Sequence, residues 1–202
     1  MIDLAGALRL MLVTDDDLLA GRDIVDVCAG AVRGGVTAVE LRLKHARDDE
    51  LLAAAARLVH DLPVPVLVND RVDVALAAGA AGVHLGAADL PPELARRIVP
   101  AGFIVGASVG LAAEVARAAS ADYWGIGPLH ATATKHDAGA ALGIDGATGF
   151  LRRAGGKPCV LIGGVTPEDV KPAFDAGFAG VAVVRGILGA ADVEAAARAY
   201  TE

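Results

Sequence analysis

The 202-residue sequence predicts a single (β/α)8 TIM barrel spanning residues 1–202. Three observations carry that reading. Short apolar runs alternate with alanine-rich segments of helical spacing, and the alternation repeats eight times. The runs are continuously apolar, as strands of a parallel sheet covered on both faces must be. A chain of 202 residues, 54% hydrophobic but only 3% aromatic, holds eight such units at the lower size limit of a barrel. An open, doubly wound sheet is the alternative that the same alternation allows.

The elements follow in order. Strands are expected at 9–14, 36–43, 64–69, 81–85, 103–107, 122–127, 158–162 and 180–184. Helices are expected at 23–33, 48–60, 71–78, 92–99, 112–119, 145–154, 167–175 and 192–200, from apolar residues at helical spacing. Segments 34–40, 78–84 and 176–182 share a rhythm of helix end, glycine turn and strand start. Their glycines suit helix C-caps with positive φ.

Composition narrows the function. Against 18 basic residues stand 25 acidic ones, a net charge of -7, so no nucleic-acid partner is expected, because phosphate backbones demand clustered Lys and Arg. Cys28 and Cys159 lie far apart and in no ligand spacing, which reads as buried thiols in a reducing, cytoplasmic setting. The N-terminus lacks the basic region and apolar stretch of a signal peptide. The apolar-looking segment 72–88 is interrupted by Asp73 and His84, so no membrane span is expected.

In such a barrel chemistry collects where strands end at the C-terminal face. Period-two alternation puts Glu40, Arg42 and Lys44 on one side of the second strand. The plain alternative for these three is a structural ion pair. Asn69 and Asp70 close the third strand, and Asp89 follows the fourth. Two carboxylates at adjacent strand ends would make half of an oxygen-ligand site for a hard cation such as Mg²⁺. Each alone would serve as a helix N-cap. Ser108 follows the fifth strand, and a long loop after the sixth holds His130, Thr132, Thr134 and Lys135, suited to phosphate or pyrophosphate. Gly163 and Gly164 after strand seven, with Val184 and Arg185 after strand eight, fit a backbone phosphate cradle.

The ordered set of motifs resembles the thiamine phosphate synthase family. It runs through Thr14-Asp15, Gly34-Gly35-Val36-Thr37, Glu40-Leu41-Arg42-Leu43-Lys44, Asn69-Asp70-Arg71, His84-Leu85-Gly86, Asp89, Gly106-Ala107-Ser108, Gly127-Pro128, Thr132-Ala133-Thr134-Lys135 and Ile162-Gly163-Gly164 to Val183-Val184, nearly the whole chain. The resemblance implies a Mg²⁺-dependent transferase that ionises a pyrimidine-CH₂–O bond, releases pyrophosphate and lets a thiazole nitrogen attack the methylene. It implies that Arg42, Lys44, Asn69 and Lys135 contact the pyrimidine diphosphate with Ser108 nearby. Asp70 and Asp89 would hold the metal, and Thr132, Thr134, Gly164, Val184 and Arg185 would border the thiazole phosphate. Its partners are then small molecules, and a homo-oligomer is compatible with the sequence without being defined by it.

Departures cluster near the expected pyrimidine pocket. Glu40 and Ala87 stand where the family usually has glutamine, and His130-Ala131 replaces an aromatic-proline pair. An ionised carboxylate only accepts hydrogen bonds, whereas an amide also donates. A related thiazole tautomerase is the competing activity. It would ask for histidine directly after Gly127, where this chain has Pro128, and His130 two residues on reads as a stray loop histidine. A noncatalytic phosphate-ligand binder is the third possibility.

Overall fold

The computed structural model of the chain describes residues 3–131 and 139–201. Eight parallel strands close into a barrel in sequence order. They are β1 (Leu10–Val13), β2 (Ala38–Leu41), β3 (Val66–Asn69), β4 (Gly82–Leu85), β5 (Ile104–Val109), β6 (Tyr123–Ile126), β7 (Cys159–Ile162) and β8 (Gly180–Val183). Closure comes from β1 pairing with β8, Leu10 beside Val181 and Leu12 beside Val183, so the open doubly wound alternative is wrong. All eight predicted strands are present, most trimmed at their ends because the flanking residues belong to connecting loops.

Among the described residues the main helices are α3 (Ile24–Arg33), α4 (Asp48–Asp61), α5 (Val72–Ala77), α6 (Pro92–Ala95), α7 (Glu114–Arg117), α8 (Gly143–Arg153), α9 (Pro167–Ala176) and α11 (Val193–Arg198). Sequence periodicity overstates α6 and α7, which are four residues each, the latter running into a 3₁₀ turn at Ala118–Ser120. It also overlooks α1 (Leu4–Ala7) and α2 (Asp16–Leu19), single turns too short to show a period. The short helix α10 (Arg185–Leu188) directly follows Val184, at the strand end assigned to the phosphate cradle. No helix among the described residues is long and apolar enough to cross a membrane.

Strand alternation builds two cores. Outward residues such as Leu12, Val39, Val68, Val83, Ile126 and Leu161 pack against Cys28 and Ala31 of α3, Ala55 and Leu58 of α4 and Ala173 of α9. Inward residues Met11, Val13, Ala38, Leu67, Ile104, Tyr123, Val160 and Ala182 fill the barrel. Cys28 is fully buried, and burial pushes its thiol up to about 12. Cys159 is likewise raised to about 11. Neither is a thiolate at neutral pH, as packed rather than reactive sulfurs should be.

The recurrent glycines divide into two kinds. Gly35, Gly79 and Gly177 have φ of 109°, 69° and 99° and turn the chain after a helix, as expected. Gly82 and Gly180 do not take positive φ. They start strands where a neighbouring backbone crosses close by: a Cβ on Gly82 would sit 2.3 Å from the Ile104 carbonyl oxygen, and one on Gly180 1.9 Å from that of Leu8.

Candidate active site

The C-terminal strand ends gather the polar residues. Directly after β1, the Thr14 hydroxyl accepts from the Arg42 backbone N–H at 2.8 Å and donates to the Arg42 carbonyl at 3.1 Å. That stitch holds the segment beyond β2 against the end of β1. The Arg42 guanidinium then reaches Asp15 at 3.0 Å, with both side chains about 15% exposed. Asp16 Oδ2 accepts from the Lys44 N–H at 2.6 Å, and the Lys44 ammonium pairs with Asp70. The two cations are therefore anchored by aspartates on other strand ends, in ion pairs that reach beyond the Glu40, Arg42 and Lys44 group.

Asp70 follows β3 with φ of 66°, a left-handed conformation that aspartate tolerates better than most residues. Its N–H donates to the His84 carbonyl at 2.8 Å, tying the end of β3 to β4. Asp89 does not cap a helix. Its carboxylate folds back and accepts from the Gly86 N–H at 2.6 Å, while Pro91 occupies the cap position of α6. Asp70 does not cap one either, since Arg71 stands at that position of α5. The N-cap alternative thus fails for both.

Freed from capping, the two carboxyls lie close enough for each to shift the other's proton affinity. Burial pushes Asp70 up, but its contacts with Asp89 and the Lys44 ammonium outweigh that and leave it below the ordinary aspartate range. Burial and then the facing Asp70 hold Asp89 above that range. Such a like-charged pair is set to share a proton or accept a cation. Among the described residues no third carboxylate, histidine or cysteine completes a metal cluster. Two hard oxygen donors without nitrogen or sulfur suit Mg²⁺, which fills its remaining positions with water and phosphate oxygens.

A raised carboxyl contributes stability below its unfolded pKa and loses it as pH rises through the folded one. Ionised Asp89 therefore costs stability at neutral pH. Asp89→Asn, which keeps an oxygen for Gly86, is expected to raise the melting temperature in chelator. Thermal denaturation of the two proteins in chelator checks it.

Lys44, Asn69 and Asp70 line a cavity of about 180 Å³ together with Leu43, Ala46, Asp48, Leu51 and Arg71. Glu40 lies deeper, 4% exposed, beside Val13 and Leu67 in register. Ser108 stands one residue before the end of β5, inside the strand rather than after it, with its hydroxyl 3.0 Å from His84 Nε2. Gly163 and Gly164 take φ of 95° and 71°. Leu129 and His130 N–H groups donate to Ile162 and Gly163 carbonyls at 2.8 and 2.9 Å, so the loop after β6 is stitched to the end of β7. Val184 precedes α10 on the adjacent strand, and Arg185 is exposed at its start. Thr132, Thr134 and Lys135 lie outside the described residues. His130 Nε2 is 3.0 Å from Asp169 Oδ2, the oxygen that also accepts from Thr166 at the start of α9, in keeping with a loop histidine.

Sequence reasoning assigned no role to Asp15, Asp16, His84 or Tyr123. Asp15 and Asp16 could have been found by the strand-end rule that selected Asp70, because they directly follow β1. His84 and Tyr123 are inward positions of β4 and β6 and are legible only once period-two alternation is applied inside the barrel.

A closed parallel barrel whose C-terminal mouth collects two anchored cations, two facing carboxylates and a positive-φ glycine pair defines a (β/α)8 enzyme of the phosphate-handling kind. The chain belongs to the thiamine monophosphate synthase family, whose model matches residues 10–187. It is similar to the thiamine-phosphate synthase of Methanoculleus marisnigri, 46% identical over 198 residues, 96% of this chain and 93% of the relative. The thiamine-phosphate synthase of Azorhizobium caulinodans is 45% identical over 196 residues, 95% and 92% of the two chains. Among solved structures, thiamine phosphate pyrophosphorylase from Pyrococcus furiosus superposes with a TM-score of 0.87 at 32% identity, covering 98% of this chain and 96% of that one. A 3-hexulose-6-phosphate synthase, at 19% identity and a TM-score of 0.72, shares the fold alone.

Proposed function

We propose that the chain catalyses the thiamine-phosphate synthase reaction. In it, a hydroxymethylpyrimidine diphosphate is coupled to a thiazole phosphate, giving thiamine phosphate and pyrophosphate. The observation that carries this reading is the Lys44, Asp70 and Asp89 cluster at the barrel mouth of a chain in this family. The pyrimidine CH₂–O bond breaks with its electron pair leaving on pyrophosphate, and the thiazole nitrogen supplies the pair for the new C–N bond. Negative charge grows on the leaving group, and preorganised cations facing it lower the barrier.

Arg42 and Lys44 are held for that role by Asp15 and Asp70. Asn69 lines the same cavity and offers an amide to the diphosphate. Asp70 and Asp89 would hold Mg²⁺, which when bound neutralises charge on the diphosphate oxygens. The positive-φ Gly163 and Gly164, with Val184 and Arg185 on the neighbouring strand end, are assigned to the thiazole phosphate. Thr132, Thr134 and Lys135 complete the assignment by family resemblance. A cytoplasmic site of action is proposed from the reduced, buried cysteines.

Pyrophosphate release that requires both substrates and Mg²⁺ is the expected result. A chain that isomerises the thiazole, or binds phosphates without releasing pyrophosphate, would overturn the reading. The tethering of His130 to Asp169 and the proline after Gly127 weigh against the isomerase.

Glu40 sets a further expectation. As an ionised carboxylate Glu40 would accept but not donate, and so would suit a donor-rich edge of the pyrimidine such as an exocyclic amino group. Glu40→Gln adds a donor of the same size and is expected to change kcat/KM for the standard pyrimidine diphosphate by roughly two- to tenfold, the span of one hydrogen bond. Steady-state kinetics of the two proteins side by side check it, and identical values would remove Glu40 from substrate choice.

A further inference from the structure

The barrel interior carries a polar chain beneath the mouth. Tyr123 on β6 is 1% exposed, and its hydroxyl lies 2.8 Å from His84 Nδ1 on β4. His84 Nε2 in turn lies 3.0 Å from Ser108 Oγ on β5. The Tyr123 and His84 rings are tilted by 41° with centroids 5.5 Å apart. Glycines make room for both rings. A Cβ on Gly106 would lie 2.3 Å from the Tyr123 ring, and one on Gly125 3.1 Å from His84 Cε1. Neither glycine has positive φ. Because glycine inside a strand weakens it, these two positions are explained by the space the rings need.

Proton counting gives the chain a direction. Burial, and then the negative charge of Glu40, hold the Tyr123 phenol well above its ordinary pKa, so it keeps its hydrogen. A buried phenol hydrogen needs an acceptor, and His84 Nδ1 lies at hydrogen-bond distance. An Nδ1 that accepts carries no proton, and the neutral ring then carries it on Nε2. In that tautomer the Nε2–H donates to Ser108 Oγ, 3.0 Å away, which leaves the serine O–H to donate elsewhere. Ser108 is half-buried at the mouth end of β5, where its hydrogen can reach a ligand.

We propose that Tyr123 and His84 are positioning residues that hold Ser108 as a hydrogen-bond donor toward an anionic oxygen of the bound diphosphate. This rests on the reading of the mouth as a diphosphate site. In the opposite orientation, Nδ1–H would point at Tyr123 and the serine hydrogen would point inward, so Ser108 would present only lone pairs to an anion. Replacing the phenol by phenylalanine removes the acceptor-orienting hydrogen while keeping the ring that Gly106 accommodates.

Two measurements test it. In the ¹⁵N-histidine-labelled full chain, with the His84 signals assigned by their loss in His84→Gln, the nitrogens should report an Nε2–H tautomer. An Nδ1–H tautomer or a doubly protonated ring overturns the proposal. Titration with inorganic pyrophosphate and Mg²⁺ should show Ser108→Ala weakening binding about 10- to 100-fold, as for a hydrogen bond to a charged group, and Tyr123→Phe, which only misorients that donor, about three- to tenfold. The double variant should then bind no more weakly than Ser108→Ala alone, since residues acting through one group are not additive. Additive losses overturn the proposal. Should Tyr123→Phe fail to fold, His84→Gln takes its place, because its amide can restore a donor to Ser108. It is expected to bind pyrophosphate more tightly than His84→Leu, and equal affinities overturn the idea. Coupling turnover of the parent is measured alongside. Its absence with intact pyrophosphate binding counts against the synthase reading alone, whereas active parent with additive variants counts against this inference alone.

Discussion

On the proposed Mg²⁺ role, Asp70→Asn is expected to lower coupling by about 100-fold or more while leaving the fold intact. Asparagine is chosen because Asp70 sits at φ of 66°, where Asn is tolerated and alanine carries a steric cost of about 1–2 kcal/mol. The substitution removes one of two facing carboxylates and the partner of the Lys44 ammonium. Both consequences fall on the leaving group: the cation site loses half its protein charge, and Lys44 loses the anchor that aims it. Removing a single preorganised electrostatic contact typically costs about 10²–10³ in rate. Pyrophosphate release measured across a Mg²⁺ titration checks this, with circular dichroism as the control for folding. Unchanged kcat and unchanged Mg²⁺ dependence would remove Asp70 from the metal site.

Gly180→Ala is expected to be the most damaging methyl group in the barrel. Its Cβ would lie 1.9 Å from the Leu8 carbonyl oxygen, 2.5 Å from that of Arg9 and 2.6 Å from Arg9 Cα. Every one of these atoms is backbone, at the entrance to β1 where it pairs with β8, so no side chain can swing away. The Val181 N–H donates to the Arg9 carbonyl at 3.2 Å, and relief of the clash must stretch the seam that closes the barrel. Overpacking of about 3 kcal/mol or more would lower the melting temperature by roughly 6–12 °C in a chain this size. Gly79→Ala is the contrast: that glycine has nothing within 4 Å of its would-be Cβ and only a φ of 69° to satisfy. It should cost about 1 kcal/mol. Thermal melts of the two variants that differed little would show that the seam yields.

Much of the site was legible because a barrel puts its chemistry at predictable places in the chain. Arg42, Lys44, Asn69, Asp70, Asp89 and Ser108 all follow or end apolar runs, and all stand at the C-terminal ends of β2 to β5 or in the loops leaving them. Their partnerships were not legible. Arg42 pairs with Asp15 across 27 residues, and Lys44 with Asp70 across 26. Local spacing left helix caps open as the alternative for Asp70 and Asp89, and only the fold showed Asp89 turning back to Gly86 and acting on Asp70. His84 and Tyr123 stayed hidden for the same reason, 39 residues apart and joined only through the barrel interior.

The amino-acid sequence by itself determined the parallel strands and their alternation with helices, because residues covered on both faces must be continuously apolar and each crossover needs a helix. It also determined which residues stand at strand ends. Barrel closure was decided by tertiary structure, through the pairing of β1 with β8 that no local pattern encodes. So was the second use of glycine, at Gly82, Gly106 and Gly180, where the demand comes from a neighbouring strand or ring rather than from the turn itself. Hydrophobic periodicity is a property of consecutive residues. The sharing of a carboxylate, a cation or a proton depends on distances between strands, and those exist only when the sheet has closed.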